Sequence, residues 1–238
     1  MIRVLRSRRV ANPFRRTKNA VEFRLGRRLD RAAISRTHDV FYASNVWTRA
    51  TWLGSQALKN PLDLWIYQEI MAETRPDVVI ETGTFRGGSA HFLASVCELI
   101  GAGEVISIDI EPQRADYPEH PRITYLAGRS SIDPDVLAEV RDRVNGRRTM
   151  IVLDSDHSRA HVEAELEAYA PLVPVGCYLI VEDSNIGQIR EDLMPGPLQA
   201  IETFLDGTSD FEIDREREKF LLTFNPSGYL RRVRTGGQ

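Results

Sequence analysis

The sequence predicts an α/β fold built on a mostly parallel, Rossmann-like sheet with helices on both faces. Five short, mostly apolar runs alternate with segments of helical spacing from residue 62 onward. This alternation is typical of a parallel sheet with right-handed crossovers. The last two apolar runs, 211–214 and 219–224, are separated only by charged residues, which predicts a hairpin and an antiparallel last strand.

Each element is predicted from its own stretch of sequence. The parallel strands are expected at residues 77–80, 104–110, 122–126, 149–153 and 176–181, and the helices at 62–71, 89–100, 134–144, 158–169 and 197–205. Pro76 ends the first of these helices, because the residue before a proline avoids the helical conformation. Asp133 stands directly before Pro134 and is the expected N-cap of its helix.

Length and composition favour one large domain with an N-terminal extension. The 238 residues are 42% hydrophobic, which is enough for a full core. We expect a basic, helical extension with an aromatic lid segment over 1–58, and the main domain over 59–238. Cys97 and Cys177 form no disulfide framework and no C-x-x-C metal site, so a reducing cytoplasm is expected. No window has the length of a membrane span, and no secretory signal is expected.

Charge divides the chain into a basic start and an acidic body. Residues 1–31 hold 11 lysines and arginines against two acids, a net charge of +9, and the rest carries 20 basic and 32 acidic residues, a net charge of −12. A basic arm on an acidic body is expected to pack on its own or a neighbouring subunit. The alternative is a tail for nucleic acid or a membrane surface. That alternative is disfavoured, because the arm has only two aromatic residues and helical spacing only over 20–36.

An aromatic segment without clear periodicity follows the arm. Its large side chains are Phe41, Tyr42, Trp47, Trp52 and Leu53. The favoured interpretation is an aromatic cluster that covers an edge of the sheet. A lid or a wall of an acceptor-binding site is the alternative.

A glycine-rich turn between the first strand and its helix indicates a cofactor site. Gly83 allows a positive φ or a close approach to a ligand, and Gly87 and Gly88 leave backbone N–H groups bare at a helix start. A dinucleotide-binding turn needs G-x-G-x-x-G, but Phe85 stands at the second glycine position. The turn therefore favours S-adenosylmethionine, which has no pyrophosphate, over NAD.

Acids at the carboxyl ends of two strands complete the predicted cofactor site. Glu81 ends the first strand and faces the crevice where open α/β sheets bind ligands. Asp109 ends the second strand, where a carboxylate can accept both ribose hydroxyls of an adenosyl group. The full set of predicted cofactor-binding residues is Glu81, Thr82, Gly83, Thr84, Gly87, Gly88, Ser89, Asp109, Ile110, Gly128, Ser130 and Asp154.

Two acidic clusters follow the next two strands and indicate a divalent cation. Asp154 and Asp156 follow the fourth strand, and Glu182 and Asp183 follow the fifth. Four carboxylates in one crevice repel each other unless a cation joins them. An all-oxygen ligand set suits Mg²⁺ or Mn²⁺.

His157 is the predicted general base. A neutral imidazole can accept a hydroxyl proton near pH 7. His157 and His161 have the spacing of a zinc helix, but Ser158 stands where H-E-x-x-H needs its glutamate. An iron triad that starts at His161 fails because the chain has no later histidine. His161 is therefore interpreted as structural.

Nine stretches of the sequence together resemble a known family. The matching stretches are residues 65–69, 81–84, 87–90, 107–110, 153–158, 161–162, 181–183, 196–197 and 220–228. Together they resemble the cephalosporin hydroxylase-like and rhamnosyl O-methyltransferase family, over about residues 45 to 230. The resemblance implies a class I methyltransferase fold, S-adenosylmethionine, a homo-oligomer, and a magnesium-type site on Asp156, Glu182 and Asp183. Resemblance to a related group of sugar methyltransferases would place the first metal aspartate at Asp154 and the base at His157. The choice between Asp154 and Asp156 as the metal ligand therefore stays open.

The expected activity is a metal-assisted O-methyl transfer in the cytoplasm. His157 and Asp154 are the expected catalytic residues, and the acceptor is the hydroxyl of a small molecule such as a rhamnosyl sugar or an antibiotic-type natural product. The alternatives are a nicotinamide-dependent oxidoreductase or hydroxylase, and a module that binds a cofactor or nucleic acid. Neighbouring residues of a strand point to opposite faces. The strand must therefore end at about Val181 or Glu182 if Glu182 and Asp183 are both to reach one ion.

Overall fold

A seven-stranded sheet crosses the centre of the chain. The computed structural model describes residues 32–235. The strands are β1 (Thr51–Trp52), β2 (Ser55–Gln56), β3 (Val78–Thr82), β4 (Glu104–Asp109), β5 (Ile123–Ala127), β6 (Thr149–Leu153), β7 (Tyr178–Val181), β8 (Phe211–Ile213) and β9 (Tyr229–Arg232). Strands β1 and β2 pair separately as a small antiparallel ribbon.

The large sheet has the order β5-β4-β3-β6-β7-β9-β8. Strands β3 to β7 are parallel, and β9 runs antiparallel to both β7 and β8. The prediction of a mostly parallel sheet with an antiparallel last strand is confirmed. The order reverses at β3, which has β4 on one side and β6 on the other. In open α/β sheets, ligands bind at the carboxyl ends of the strands beside such a switch point.

Helices cover both faces of the sheet. The α-helices are α1 (32–43), α2 (Pro61–Thr74), α3 (Gly88–Leu99), α4 (Pro134–Val144), α5 (Arg159–Tyr169), α6 (Ile186–Ile189) and α7 (Pro197–Asp206). Short 3-10 helices lie at Val46–Arg49, Ala170–Leu172, Glu191–Leu193 and Arg215–Glu218. No helix in residues 32–235 is long and apolar enough to cross a membrane.

Strand β3 shows how the sheet divides the core into two layers. Val78 and Ile80 pack into one cluster with apolar residues of α4, α5 and α7. Val79 points to the opposite face, where it joins apolar residues of α2 and α3. Both faces of β3 are therefore buried, which explains its continuous apolar sequence.

The predicted strand at 219–224 is wrong, because this segment bonds to helix α2 instead of to a neighbouring strand. The buried carboxylate of Asp63 accepts hydrogen bonds from Thr223 Oγ1 at 2.5 Å and from the Phe224 N–H at 2.9 Å. The Asn60 amide donates to the Leu222 carbonyl at 3.1 Å. The last strand is β9, which begins only at Tyr229.

Two smaller predictions have mixed outcomes. Helix α4 begins at Pro134 as predicted, but the Asp133 carboxylate accepts from the Ser130 N–H at 3.0 Å and makes no cap bond to the helix. The basic arm of residues 1–31, with most of its predicted helix at 20–36, lies outside the described residues.

The aromatic segment packs in two places. Tyr42 and Trp47 stack on each other, and both rings also contact Phe224. Trp52 packs edge-on against Phe92 of α3, with ring centroids 4.8 Å apart. One part of the segment therefore covers the 219–228 stretch beside the sheet, and the other part joins α3.

Candidate active site

The glycine turn after β3 lies against the chain's own backbone. Gly83 has a φ of +89°, and a Cβ there would lie 2.0 Å from the Asp154 carbonyl oxygen. A Cβ at Gly88 would lie 2.0 Å from the Gln56 carbonyl oxygen. No side chain fits in either place. Gly83 brings the ends of β3 and β6 together, and Gly88 brings the start of α3 against β2. The turn therefore lies beside the acids that follow β6.

A cavity of about 380 Å³ lies at the carboxyl ends of β4 and β6. This volume is within the range of small-molecule sites. Its lining includes four of the predicted cofactor-binding residues, and the full lining is Gly83, Ile108, Asp109, Ile110, Ser130, Ser131, Ser155, Asp156 and His161. We call it the large cavity, to distinguish it from a much smaller one on the other side of Gly83.

Asp109 is fixed at the rim of the large cavity by two backbone groups. Its Oδ2 accepts from the Phe85 N–H and its Oδ1 from the Glu111 N–H, each at 2.8 Å. Each carboxylate oxygen has a further lone pair. Asp109 is therefore oriented and can still accept two hydroxyl donors, as its predicted role requires.

A second, narrow cavity of about 20 Å³ lies on the other side of Gly83. It is lined by Gln56, Leu58, Lys59, Gly83, Thr84, Phe85, Arg86, Gly88, Ser89 and Asp154. We call it the small cavity. The two cavities share only Gly83 as a lining residue, so a ligand that occupies both must pass over the glycine turn.

Glu81 lies behind the turn and is fully buried. Its Oε2 accepts from Ser107 Oγ at 2.6 Å, and its Oε1 has no hydrogen-bond partner among the described residues. Burial raises the pKa of the Glu81 carboxyl, and the nearby Lys59 ammonium opposes this shift. An orphaned buried carboxylate oxygen is costly to the protein. It fits a site in which a cationic or hydroxyl group of a ligand supplies the missing donor.

The remaining predicted cofactor residues do not line either cavity. Thr82 is buried and accepts the Asp154 N–H, through its carbonyl at 3.0 Å and its hydroxyl at 3.3 Å. Gly87 is the N-cap of α3, and a Cβ there would lie 2.8 Å from the Pro118 ring. Gly128 has a positive φ and open space around it. These residues shape the loops around the cavities.

Three side chains at the ends of β6 and β7 converge. Asp154, His157 and Asp183 each offer a ligand atom, and these atoms lie within 4.8 Å of one another. His157 Nε2 is 3.4 Å from Asp183 Oδ2. The two carboxylates fit a hard divalent cation of the Mg²⁺ or Mn²⁺ type, which prefers oxygen ligands, and the imidazole of His157 lies beside them.

The prediction that the strand ends before Asp183 is confirmed. Strand β7 stops at Val181, and Asp183 takes a left-handed backbone conformation with a φ of 49°. The Asp183 N–H donates to the side-chain oxygen of Asn225 at 3.1 Å. This break in the strand lets the side chain of Asp183 turn toward His157.

Glu182 points to a different set of partners. Its Oε1 accepts from the Tyr67 hydroxyl at 2.7 Å, and its Oε2 lies 2.7 Å from Lys59 Nζ. The Lys59 ammonium also contacts the Asp154 carboxylate. Glu182 therefore shares a cation with Asp154 and lies outside the group formed by Asp154, His157 and Asp183.

Burial dominates the electrostatics of these acids. It raises the pKa of the Asp183 carboxyl to about 6, although the neighbouring His157 lowers it. Burial and the nearby Asp154 raise the pKa of Glu182 to about 7. The pKa of Asp154 is raised by burial and lowered by Lys59. The site therefore holds more negative charge than it can easily keep without a cation.

Asp156 is directed away from this group. Its Oδ1 accepts from the Ser158 N–H at 2.7 Å at the start of α5, and these bonds to Ser158 lower the pKa of Asp156. Asp156 lines the large cavity. The structure thus separates the two candidates that the sequence leaves open: Asp154 joins His157 and Asp183, whereas Asp156 faces the predicted cofactor site.

His161 also lines the large cavity. Its Nε2 is 3.2 Å from Ser131 Oγ and 3.5 Å from the buried Glu165 carboxylate, which raises the pKa of His161. Ser131 and Ser155 both donate to Glu165 Oε1, at 2.6 and 2.8 Å. The histidine interpreted as structural is therefore part of the polar wall of this cavity.

A third, more open cavity of about 640 Å³ begins at His157. It is lined by Asp156, His157, Ser158, Arg159, Ala160, Asp192, Leu193, Met194 and Pro195. We call it the outer groove. It is the opening through which a second substrate could approach His157, and its mixed polar and apolar wall suits a hydroxylated organic molecule.

Lys59, Tyr67 and Asn225 are site residues that the sequence does not single out. Tyr67 lies inside a helical pattern and Asn225 inside a turn-like stretch, so neither gives a local signal. Lysine gives one: only three of the 31 basic residues are lysines. A buried lysine before the first helix of the domain is unusual in a chain that otherwise uses arginine.

Most of this chain is similar to proteins of one known family. Residues 44–233 match the family described as rhamnosyl O-methyltransferase/CmcI. A rhamnosyl O-methyltransferase of Mycobacterium tuberculosis is 38% identical over 202 residues, which cover 81% of this chain and 82% of that protein.

Solved structures of CmcI have a similar fold. The apo structure aligns with a TM-score of 0.61 at 24% identity and covers 79% of this chain and 78% of that chain. CmcI with Mg and SAM aligns with a TM-score of 0.60 at 22% identity, over the same shares of the two chains. The sheet described above is therefore a methyltransferase fold.

Proposed function

The chain belongs to the rhamnosyl O-methyltransferase/CmcI family, and we propose that it is a divalent-metal-assisted enzyme that methylates a hydroxyl of a small molecule. The observation that carries the proposal is the convergence of Asp154, His157 and Asp183 beside the glycine turn. S-adenosylmethionine is the methyl donor and Mg²⁺ or Mn²⁺ is the ion. The CmcI structure with Mg and SAM supports both choices.

The cofactor is assigned to the two cavities on either side of Gly83. Asp109 accepts the ribose hydroxyls, because its carboxylate is held at the rim of the large cavity with lone pairs free. The wall formed by Ser130, Asp156 and His161 faces the adenine. The methionine end extends over the glycine turn toward the small cavity, whose lining includes Ser89 and Asp154. The cofactor supplies an activated methyl group on a sulfonium centre.

The ion is assigned to Asp154 and Asp183. Asp154 thus takes the place of Asp156 as the proposed ligand, because the Asp156 carboxylate accepts the Ser158 N–H. When bound, the ion would neutralise the acids and lower the pKa of the acceptor hydroxyl. Glu182, which the sequence also predicts as a ligand, stands one residue from Asp183 and pairs with Lys59 in the structure.

His157 removes the hydroxyl proton. It lies between the outer groove and Asp183, with Nε2 3.4 Å from Asp183 Oδ2. Asp183 orients the imidazole, and a neutral ring can accept a proton at pH 7. Positioning of the acceptor oxygen toward the methyl group then contributes much of the rate.

The outer groove is the proposed acceptor site, and a sugar hydroxyl is the proposed acceptor. The curated relatives are named rhamnosyl O-methyltransferases, which supports a rhamnosyl or related glycoside. Arg159 and Asp192 supply polar contacts in this groove, and Leu193 and Met194 supply apolar ones. An antibiotic-type natural product is the second acceptor class. A homo-oligomer and a cytoplasmic location remain part of the proposal.

A methyl-transfer screen tests this function. The full chain is incubated with S-adenosylmethionine and rhamnosyl glycosides, hydroxycephems or catechols, with Mg²⁺ or with EDTA, and products are detected by mass spectrometry. We expect a methylated glycoside that forms only with the divalent ion. Turnover that is unchanged in EDTA would remove the ion from the mechanism. Asp192 lines the outer groove and pairs with Arg190, so Asp192→Asn should raise the KM for the acceptor and leave cofactor binding unchanged.

A nicotinamide-dependent oxidoreductase is the competing function. This function is disfavoured, because Phe85 stands at the second glycine position of a dinucleotide turn. A chain that binds NAD and does not bind S-adenosylmethionine would favour this alternative.

A further inference from the structure

Lys59 is the only lysine or arginine that is buried among residues 32–235, with 3% of its surface exposed. Its ammonium contacts the Asp154 carboxylate and lies 2.7 Å from Glu182 Oε2. Lys59 therefore links Asp154, a proposed ligand of the ion, to Glu182. A lysine in this place is a cation built into the metal site.

We propose that Lys59 is an exchangeable counter-ion of the metal site. Without a divalent ion, its ammonium neutralises Asp154 and Glu182. When the ion binds, it displaces the ammonium from Glu182, and Glu182 becomes available as a ligand. This inference rests on the proposed function, because it concerns the same ion.

The charge balance supports the exchange. Glu182 is buried, Asp154 has 19% of its side chain exposed, and Asp154 raises the pKa of Glu182. Some cation must stay near them, since removing one partner of a buried ion pair leaves an uncompensated charge. Two cations on the same pair of carboxylates repel each other. An incoming ion and the ammonium therefore compete for Glu182.

The chemistry of lysine suits this role better than that of arginine. An ammonium is a compact point charge on a flexible stem, whereas a guanidinium is a rigid planar fork that binds carboxylates in pairs. Lys59 also lines the small cavity next to Gly83 and Ser89.

The first test observes Lys59 in the unmodified full chain. Since the sequence has only three lysines, labelling with ¹³C,¹⁵N-lysine gives three side-chain signals, which Lys59→Met and Lys219→Met assign. During a Mg²⁺ titration, the Lys59 signal should shift along the binding curve measured by calorimetry, and the Lys219 signal should stay constant. Mg²⁺ binding with an unchanged Lys59 signal would overturn the exchange. Absence of any Mg²⁺ binding would instead contradict the proposed function.

The second test measures the competition itself. Lys59→Met should bind Mg²⁺ about tenfold more tightly than the wild-type chain, because the competing charge is gone. It should also show a larger rise in Tm with Mg²⁺. Lys219→Met is the matched control, since its ammonium pairs with Glu69 on the surface, and it should behave as wild type.

Equal or weaker Mg²⁺ affinity of Lys59→Met would mean that the lysine assists the ion, which contradicts the exchange. A variant that folds only with Mg²⁺ agrees with it. If the variant folds under neither condition, the lysine signal of the unmodified chain decides. Lys59→Met/Glu182→Gln lacks both the competitor and the ligand, and its affinity should fall below that of Lys59→Met.

Discussion

Asn225 holds the backbone of Asp183 in place: its Oδ1 accepts the Asp183 N–H at 3.1 Å. Asn225 is fully buried, and its Nδ2 donates to the Tyr67 hydroxyl at 2.9 Å. Tyr67 in turn donates to Glu182 at 2.7 Å. One amide thus controls the position of both acids after β7, although it lies 42 residues further along the chain than Asp183.

We predict that Asn225→Ala weakens the metal site. The substitution leaves the Asp183 N–H without its partner and frees Tyr67, so unfolding should become easier by about 1–3 kcal/mol. Mg²⁺ affinity should fall, while binding of S-adenosylhomocysteine stays near the wild-type value because neither cavity is lined by Asn225. Denaturant unfolding with parallel ion and cofactor titrations measures these effects. Unchanged Mg²⁺ affinity would show that Asp183 keeps its place without the amide.

The two aspartates Asp183 and Asp156 provide a matched pair of substitutions. Asp183→Asn should abolish Mg²⁺-dependent activity and leave cofactor binding nearly intact, because it removes a ligand of the ion. Asp156→Asn should weaken cofactor binding and leave Mg²⁺ binding nearly intact, since this carboxylate lines the large cavity and lies outside the group of converging ligands. Metal and cofactor titrations on both variants separate the roles. If Asp156→Asn lost metal binding and Asp183→Asn kept it, the assignment would be wrong.

The raised pKa values predict a pH dependence of stability. In the folded chain, the pKa of Asp183 is raised to about 6 and that of Glu182 to about 7, whereas the unfolded values are near 4. The folded state therefore binds more protons between about pH 4 and 7, and its stability falls as the pH rises through this window.

Thermal unfolding from pH 5 to pH 8 with EDTA measures this fall. Excess Mg²⁺ should reduce it, because the ion stabilises the ionised acids. Mg²⁺ binding should also weaken as the pH drops below about 6 to 7. A metal-free chain whose Tm rises steadily from pH 5 to pH 8 would contradict the raised pKa values.

Asp63 anchors the stretch that was predicted as a strand. It is buried and accepts from Thr223, the Phe224 N–H and the Tyr229 hydroxyl. Asp63→Ala should lower the free energy of unfolding by about 3–5 kcal/mol, because several buried donors lose their acceptor. Glu69→Ala on the same helix is the control, since Glu69 pairs with Lys219 near the surface. Equal effects of the two variants would show that the buried network adds no special stability.

The sequence predicts the sheet well because its strands carry local signals. Val79 and Ile80 belong to a buried apolar run, and the turn at Gly83 follows at once. The strand end at Val181 is also predictable, since it follows from the alternation of side chains and the need for Asp183 to reach the ion. The apolar run and the turn are signals from neighbouring residues, whereas the strand end also depends on where the ion lies.

The errors arise where distant residues decide. Residues 219–224 have a strand-like composition, but Asp63, about 160 positions earlier, binds Thr223 and Phe224. Asp154 and Asp156 look alike in sequence, and Asp154 is distinguished by its contact with Lys59, 95 positions earlier, and by its convergence with Asp183. Lys59 carries no motif, and its role becomes visible only when β6 and β7 bring Asp154 and Glu182 to it.

The most direct test of the central claim is a calorimetric titration of S-adenosylhomocysteine and of NAD into the wild-type chain and Asp109→Ala, with Mg²⁺ present. We predict saturable binding of S-adenosylhomocysteine to the wild-type chain, binding at least tenfold weaker to Asp109→Ala because about two charge-assisted hydrogen bonds are lost, and no binding of NAD. Binding of NAD in place of S-adenosylhomocysteine, or an Asp109→Ala variant with wild-type affinity, would contradict the account.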